Sequence, residues 1–107
     1  MKASKKKKLE AIGYRVSDAQ EFLGMTDEEY ALAEMKALLT ASIKELRKSK
    51  RVSQAKLAEM IGSSQSRVAK MEAGDPSVSS DLLFRGMLAL GATRKDISRV
   101  IGARRAA

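Results

Sequence analysis

Apolar residues recur along most of this chain at steps of three and four, and capping residues and glycines cut the pattern into short segments. From Asp27 to about Lys48 no Gly or Pro intervenes, and Leu32, Met35, Leu39, Ile43 and Leu46 form one stripe. This predicts one long helix, or two with a bend near "LTAS". Before it, "VSDAQEFLG" predicts a two-turn helix with Ser17 as N-cap, Gln20 completing a capping box and Gly24 as terminator. "TDEE" repeats the start signal, with Thr26 as N-cap and Glu29 at the third helical position. Asp27, Glu28 and Glu29 suit the positive end of the helix dipole and read as capping rather than catalytic.

After Lys48 the segments shorten. Ser53 is placed to cap a helix running to about Ile61, with Leu57, Ala58 and Ile61 inward and Gly62 as its stop. Ser63 or Ser64 caps the next, which buries Val68 and Met71 and ends at Gly74. "GDPS" is a turn, since Pro76 cannot continue a helix and pushes Asp75 towards extended geometry. Ser79 caps "SDLLFRGMLALG", where Leu82, Leu83, Phe84, Met87, Leu88 and Leu90 cover more than one stripe. That breadth implies burial against the core and against another subunit. Gly91 ends this helix and Thr93 caps a last one, with Ile97, Val100 and Ile101 in a narrow apolar stripe. No strand pattern competes. The expected fold is all-α, a compact bundle of five to six short helices. Residues 1–15 are expected to be a flexible basic tail, and residues 16–107 a single helical domain. Tyr14, Phe22, Tyr30 and Phe84 are expected in the core.

Charge changes the picture. Twenty-one Lys and Arg against 13 acids give +8, which favours a polyanionic partner, nucleic acid ahead of membrane. "MKASKKKK" holds five lysines, residues 10 to 34 carry −6, and residues 47 to 72 carry +5. The chain is therefore polarised into an acidic front and a basic middle. With no Cys and no His, neither a disulfide framework nor a zinc site is expected, and no cofactor is called for. The chain has no apolar run near membrane-spanning length, no secretory signal and no lipidation motif, so the cytoplasm is the expected compartment.

The chemistry of interest lies in "VSQAKLAEMIGSSQSRVAKMEAGD", residues 52 to 75. Two short helices joined through a glycine form a helix-turn-helix when the turn is tight. Ala58 permits close approach, and Gly62 supplies a positive φ without steric cost. With Val68 and Met71 inward, Gln65, Ser66, Arg67 and Lys70 point outward from a helix start. That is where side chains can enter a major groove and the dipole favours phosphate.

Residues 44 to 75 resemble the lambda repressor/Cro-like (XRE) helix-turn-helix proteins through Gln54, Ala58, Gly62, Val68 and Met71, at spacings of four, four, six and three. The resemblance implies a DNA-binding transcriptional regulator, an autorepressor gripping double-stranded DNA as a homodimer. It implies base contacts from Gln65, Ser66 and Lys70, with Arg67 reaching phosphate or base. Gln54 would touch a phosphate and brace Gln65. Ser64, Lys50, Arg51 and Lys56 complete the expected phosphate contacts. Together with "VSDAQEFLGMTDEEY" and "DPSVSSDLLFRGMLALGATRKDISRVI", the motif also looks like antitoxin-type members paired with a RelE-like toxin. Such toxins are basic, so the acidic front, residues 16 to 35, is the expected contributor to a toxin partner's site.

Other classes fare worse. Ser66 and Lys70 stand at i, i+4, as in a Ser–Lys nucleophile pair, but both are expected in solvent, where lysine stays protonated. No Gly-rich phosphate loop exists, and an RNA-binding sheet is excluded by the lack of strands. The chain is not expected to be an enzyme. A plain helical bundle that merely contains a glycine-interrupted pair remains the bland alternative.

Overall fold

The computed structural model describes residues 16 to 103, with side chains from Gln20 onward. The tail expected over residues 1–15, the core role of Tyr14 and the basic end from Arg104 lie outside the described residues. Six helices follow one another: α1 Val16–Leu23, α2 Asp27–Ser49, α3 Gln54–Met60, α4 Gln65–Glu72, α5 Ser80–Ala89 and α6 Arg94–Ile101. Among the described residues there is no strand, and no helix is long and apolar enough to cross a membrane. The backbone divides at Glu34/Met35 into two units.

The N-terminal unit holds α1 and the first turns of α2. Helix α1 begins at Val16, so Ser17 lies inside the first turn and is not the cap. Gln20 Nε2 donates to Met25 O at 3.2 Å and to Asp27 Oδ1 at 2.7 Å, and the capping box expected between Gln20 and Ser17 lies outside the described side chains. Gly24, at φ 68°, ends the helix as expected. Thr26 forms the anticipated reciprocal cap, with Glu29 N donating to its Oγ1 at 3.1 Å and its own N–H donating to Glu29 Oε1 at 2.9 Å. The aromatic expectation fails here. Phe22 is 82% exposed and its neighbour Leu23 61%, so neither of these large apolar residues of α1 is buried.

The second unit, Met35–Ala103, carries the rest of α2 and all of α3 to α6. Helix α2 runs through "LTAS" without a break. Its Leu39 and Ile43 enter a core built with Leu57, Ala58, Ile61, Val68, Met71, Val78, Leu82, Leu83, Met87, Leu90 and Ile97. Leu32, the first member of the predicted stripe, is 49% exposed. Each short helix starts at the serine or threonine its sequence offers: Ser53, Ser64, Ser79 and Thr93 accept from the backbone N–H three residues on. Such caps are worth about 1 kcal/mol each, a large share of what a helix of seven to ten residues has available.

Two core positions escaped the periodicity. Val78 is 2% exposed although it sits alone in a polar turn, outside any helical repeat. Gly86 is buried inside α5, and a Cβ there would stand 3.3 Å from Ile43 Cδ1. A glycine inside a helical pattern signals close packing, and here it brings α5 onto α2. Helix α5 also splits its apolar residues: Leu82, Leu83, Met87 and Leu90 are buried, whereas Phe84 and Leu88 are exposed. Phe84 is therefore not a core residue.

Candidate functional site

Helices α3 and α4 make the tightest helix pair of the second unit, and the four residues between them explain why. Ile61 caps α3, Gly62 takes φ 64°, Gly62 N donates to Glu59 O at 3.2 Å, and Ser63 N donates to Ala58 O at 2.8 Å. This is a Schellman closure, which needs the left-handed residue at its centre. Ser64, rather than Ser63, then caps α4, accepting from Arg67 N at 3.2 Å. Arg85 adds a hydrogen bond from its Nη1 to Ile61 O at 3.2 Å, holding the turn from α5.

Helix α4 is fixed from beneath by Val68 and Met71, both essentially fully buried. Gln65, Ser66, Arg67, Ala69 and Lys70 are exposed. Ser64 Oγ and Ser66 Oγ lie 3.2 Å apart. The first turn of α4 carries no acid, so its positive end is unopposed. A shallow concavity beside it is lined by Ala55, Lys56, Ala58, Glu59, Ser63 and Gln65. Polar and cationic groups thus converge on one helix start.

The other predicted residues are scattered more widely. Lys56 lies on α3 and pairs with Glu59 at 3.2 Å, both exposed, a contact too weak to withhold it from another anion. Gln54, the first residue of α3, is turned to Glu72, not to Gln65: its Nε2 donates to Glu72 Oε1 at 3.1 Å. Carboxylate charge wins that amide over a neutral partner. Lys50 reaches the other way. A Cβ on Gly91 would stand 3.1 Å from Lys50 Nζ, which places that ammonium at the α5–α6 turn. Arg51 is exposed and has φ 59°. It occupies the left-handed centre of a second Schellman closure, with Arg51 N donating to Lys48 O and Val52 N to Arg47 O, both at 3.0 Å. Glycine is the usual occupant of such a position.

Glu72 is the group that sequence reasoning missed. Its carboxylate is 4% exposed and takes Arg47 Nε at 2.5 Å, Arg47 Nη2 at 2.9 Å and Gln54 Nε2 at 3.1 Å. Arg47 Nη1 goes on to Val52 O at 2.7 Å. Burial pushes the Glu72 carboxyl up, but the hydrogen bonds from Arg47 and Gln54, with the charges of Arg47 and Lys44, hold it below the usual carboxylate range. The hydrogen bond to Glu72 in turn raises Arg47. The tails of α2 and α4 and the head of α3 are tied at one carboxylate. Arg47 is thereby spent inside the unit, although the sequence counts it in the basic middle. No local signal marks the pair, since 25 residues separate its members.

A helix-turn-helix family of the lambda repressor/XRE type matches residues 43–97, just over half of the chain. The match starts at Ile43 in α2 and ends at Ile97 in α6, so it spans the core as well as the pair. No curated protein and no solved structure gives a match.

Proposed function

The chain belongs to the helix-turn-helix family, and from that premise we propose that it is a sequence-specific DNA-binding regulator that represses its own promoter as a homodimer in the cytoplasm. The observation that carries this reading is the outward set Gln65, Ser66, Arg67 and Lys70 on a helix whose inner face is locked by Val68 and Met71. A rigid helix start bearing amide, hydroxyl and cationic groups fits the edges of bases and the phosphates beside them. Gln65 presents a donor and an acceptor together, the pattern that pairs with adenine N6 and N7. No step of this reading calls for catalysis; Ser66 and Lys70 are both exposed, and their roles are base contacts.

Binding of Gln65→Ala and Arg51→Gly to promoter and scrambled duplexes across a salt series tests the assignment. Gln65→Ala is expected to lose about 1–3 kcal/mol on the promoter and little on the scrambled duplex. Arg51→Gly should weaken both alike and lower the salt slope by about one, as loss of a phosphate contact does. It should also raise the melting temperature, because the left-handed conformation costs a non-glycine residue about 1 kcal/mol. Equal loss on both duplexes for Gln65→Ala would mean that α4 is not the reading element.

A second role as antitoxin to a RelE-like protein is favoured by one feature of the N-terminal unit. The acidic front carries Phe22 at 82% and Leu23 at 61% exposure on α1, two apolar side chains in an acid-rich segment of the sequence, which suits a basic protein. The two roles are compatible, with the toxin acting as co-repressor. Co-expression with the neighbouring gene should yield a complex that is lost when residues 1 to 25 are deleted, while DNA binding by α4 is kept. Capture that survives the deletion would place the contact elsewhere.

A further inference from the structure

One peptide unit, that between Ile61 and Gly62, lies at the centre of the α3–α4 turn. The torsions on either side of it, ψ 10° at Ile61 and φ 64° at Gly62, set the direction in which the chain leaves α3. The unit offers one donor and one acceptor. Its donor, Gly62 N–H, is used inside α3, on Glu59 O at 3.2 Å. Around it Ile61 N donates to Leu57 O at 3.1 Å and Ser63 N to Ala58 O at 2.8 Å. Ile61 O lies past these bonds, and its donor comes from another helix: Arg85 Nη1, on α5, at 3.2 Å. The peptide is gripped from both sides, once by α3 and once by a residue 24 positions away.

Arg85 is suited to that reach. Its neighbour Gly86 seats α5 closely on Ile43 of α2, so the backbone that carries the arm is fixed by the core. Asp81, one turn earlier, stands 3.6 Å from Arg85 Nε. Such an exposed pair adds little stability, but it occupies the Nε side of the planar guanidinium and leaves Nη1 for the carbonyl. The last turn of α3 has no basic residue of its own, and the guanidinium brings the positive charge that a helix C-terminus favours. The side chain is nonetheless 56% exposed, so core packing gives no reason for an arginine here.

We infer that Arg85 is a positioning residue for DNA reading: from α5 it fixes the Ile61–Gly62 peptide, and through it the angle at which α4 presents Gln65 and Ser66. The inference rests on the reading above that α4 meets base edges, and it adds a residue that acts without touching a base. Val68 and Met71 hold α4 from beneath, but both come after Gln65 and Ser66, whose placement depends on the turn. Base contacts need finer placement than phosphate contacts or folding do. Arg85 therefore governs the choice of sequence more than general affinity or stability.

Two measurements on the full chain test this. The first needs no DNA: amide hydrogen exchange in Arg85→Met, which keeps a long stem and removes the donor. Gly62 N–H should exchange severalfold faster than in the wild type, with the Leu57 and Val68 amides unchanged. The second is binding to the chain's own promoter and to a scrambled duplex. Arg85→Met should lose about tenfold on the promoter and less than about twofold on the scrambled duplex, where only one charge is missing. In a Gln65→Ala background the same change should cost the promoter less than about threefold, because the contact it positions is already gone. Arg85→Gln, too short to reach and polar at an exposed site, should show the same losses and keeps the test open if Arg85→Met fails to fold. Arg85→Lys, which keeps a cationic donor, should recover part of the discrimination. A general loss of stability would instead weaken both duplexes alike and add to the Gln65 effect. The inference is overturned if Gly62 exchange is unchanged in the folded variants, if they keep the wild-type ratio of promoter to scrambled binding, or if their effect is the same with and without Gln65. A wild type that does not discriminate promoter from scrambled duplex would defeat the DNA reading instead, and Gly62 exchange would still decide whether Arg85 holds the turn.

Discussion

Glu72→Ala should cost about 3–5 kcal/mol of stability, the usual result of removing one partner from a buried ion pair. Helical domains of this size have only about 5–15 kcal/mol in hand, so the variant should melt at least ~12 °C below the wild type. Three consequences add up. Arg47, 11% exposed, keeps its charge without a counter-ion; Gln54 loses its acceptor; and a gap opens where α2, α3 and α4 meet. Replacing both partners with methionine should recover part of the loss, since the desolvation of both charges disappears. Recovery stays incomplete because Val52 O still lacks its donor from Arg47.

The same pair sets the acid limit. Because the Glu72 carboxyl is held below its ordinary range, its contribution is fully present above the unfolded-state pKa of about 4.3. It is lost as pH falls through the lower folded-state value. Asp75, held down by the Ser77 N–H, and Asp96, held down by the Thr93 N–H, act in the same direction from the surface. Thermal melts from pH 7 to pH 3 should therefore fall most steeply below about pH 4. Glu72→Gln should start lower and flatten the curve, leaving the slope due to the two aspartates. A Glu72→Gln profile parallel to that of the wild type would show that the bridge does not govern the acid transition.

Gly62→Val should be the most costly single change in the turn, at about 1–3 kcal/mol. The reason is conformation alone. Gly62 has φ 64°, and a Cβ there would meet nothing within 4 Å. A β-branched residue is the worst fit to the left-handed region, alanine is intermediate, and asparagine tolerates it best. Melting temperatures should fall in the order Asn, Ala, Val. DNA affinity should follow the same order, because this turn sets the angle at which α4 leaves α3. If asparagine and valine lower the melting temperature equally, φ is not what glycine supplies. Gly86 is the opposite case: there space, not conformation, is the issue, since an added carbon would stand 3.3 Å from Ile43 Cδ1, which would have to shift by a few tenths of an ångström.

Much of the second unit was legible in the sequence because its signals are local. Ser53, Ser64, Ser79 and Thr93 each start the helix predicted from them, since a cap bonds a backbone group only three residues away. Gly62, Gly74 and Gly91 take positive φ because a helix that must stop abruptly does so through a left-handed residue. The core was readable for the same reason: Leu39, Ile43, Leu57, Val68 and Met71 stand at helical spacings. Arg51 shows the limit of this logic, since it takes a conformation that nothing in its side chain announces.

By itself, then, the sequence determined where α3 to α6 begin and end, which residues of α3 and α4 turn inward, and that a polar, cationic helix start follows a glycine turn. Those properties depend on hydrogen bonds and spacings of a few residues. Tertiary structure alone decided the rest. It drew Arg47 and Glu72 together across 25 residues, turned Gln54 away from Gln65 and aimed Lys50 at Gly91. It also chose which of two apolar faces to bury, enclosing Ile97 and leaving Phe84 and Leu88 outside. A side chain's partner depends on which distant group arrives beside it with the right charge, and periodicity along one helix does not encode which neighbour will come.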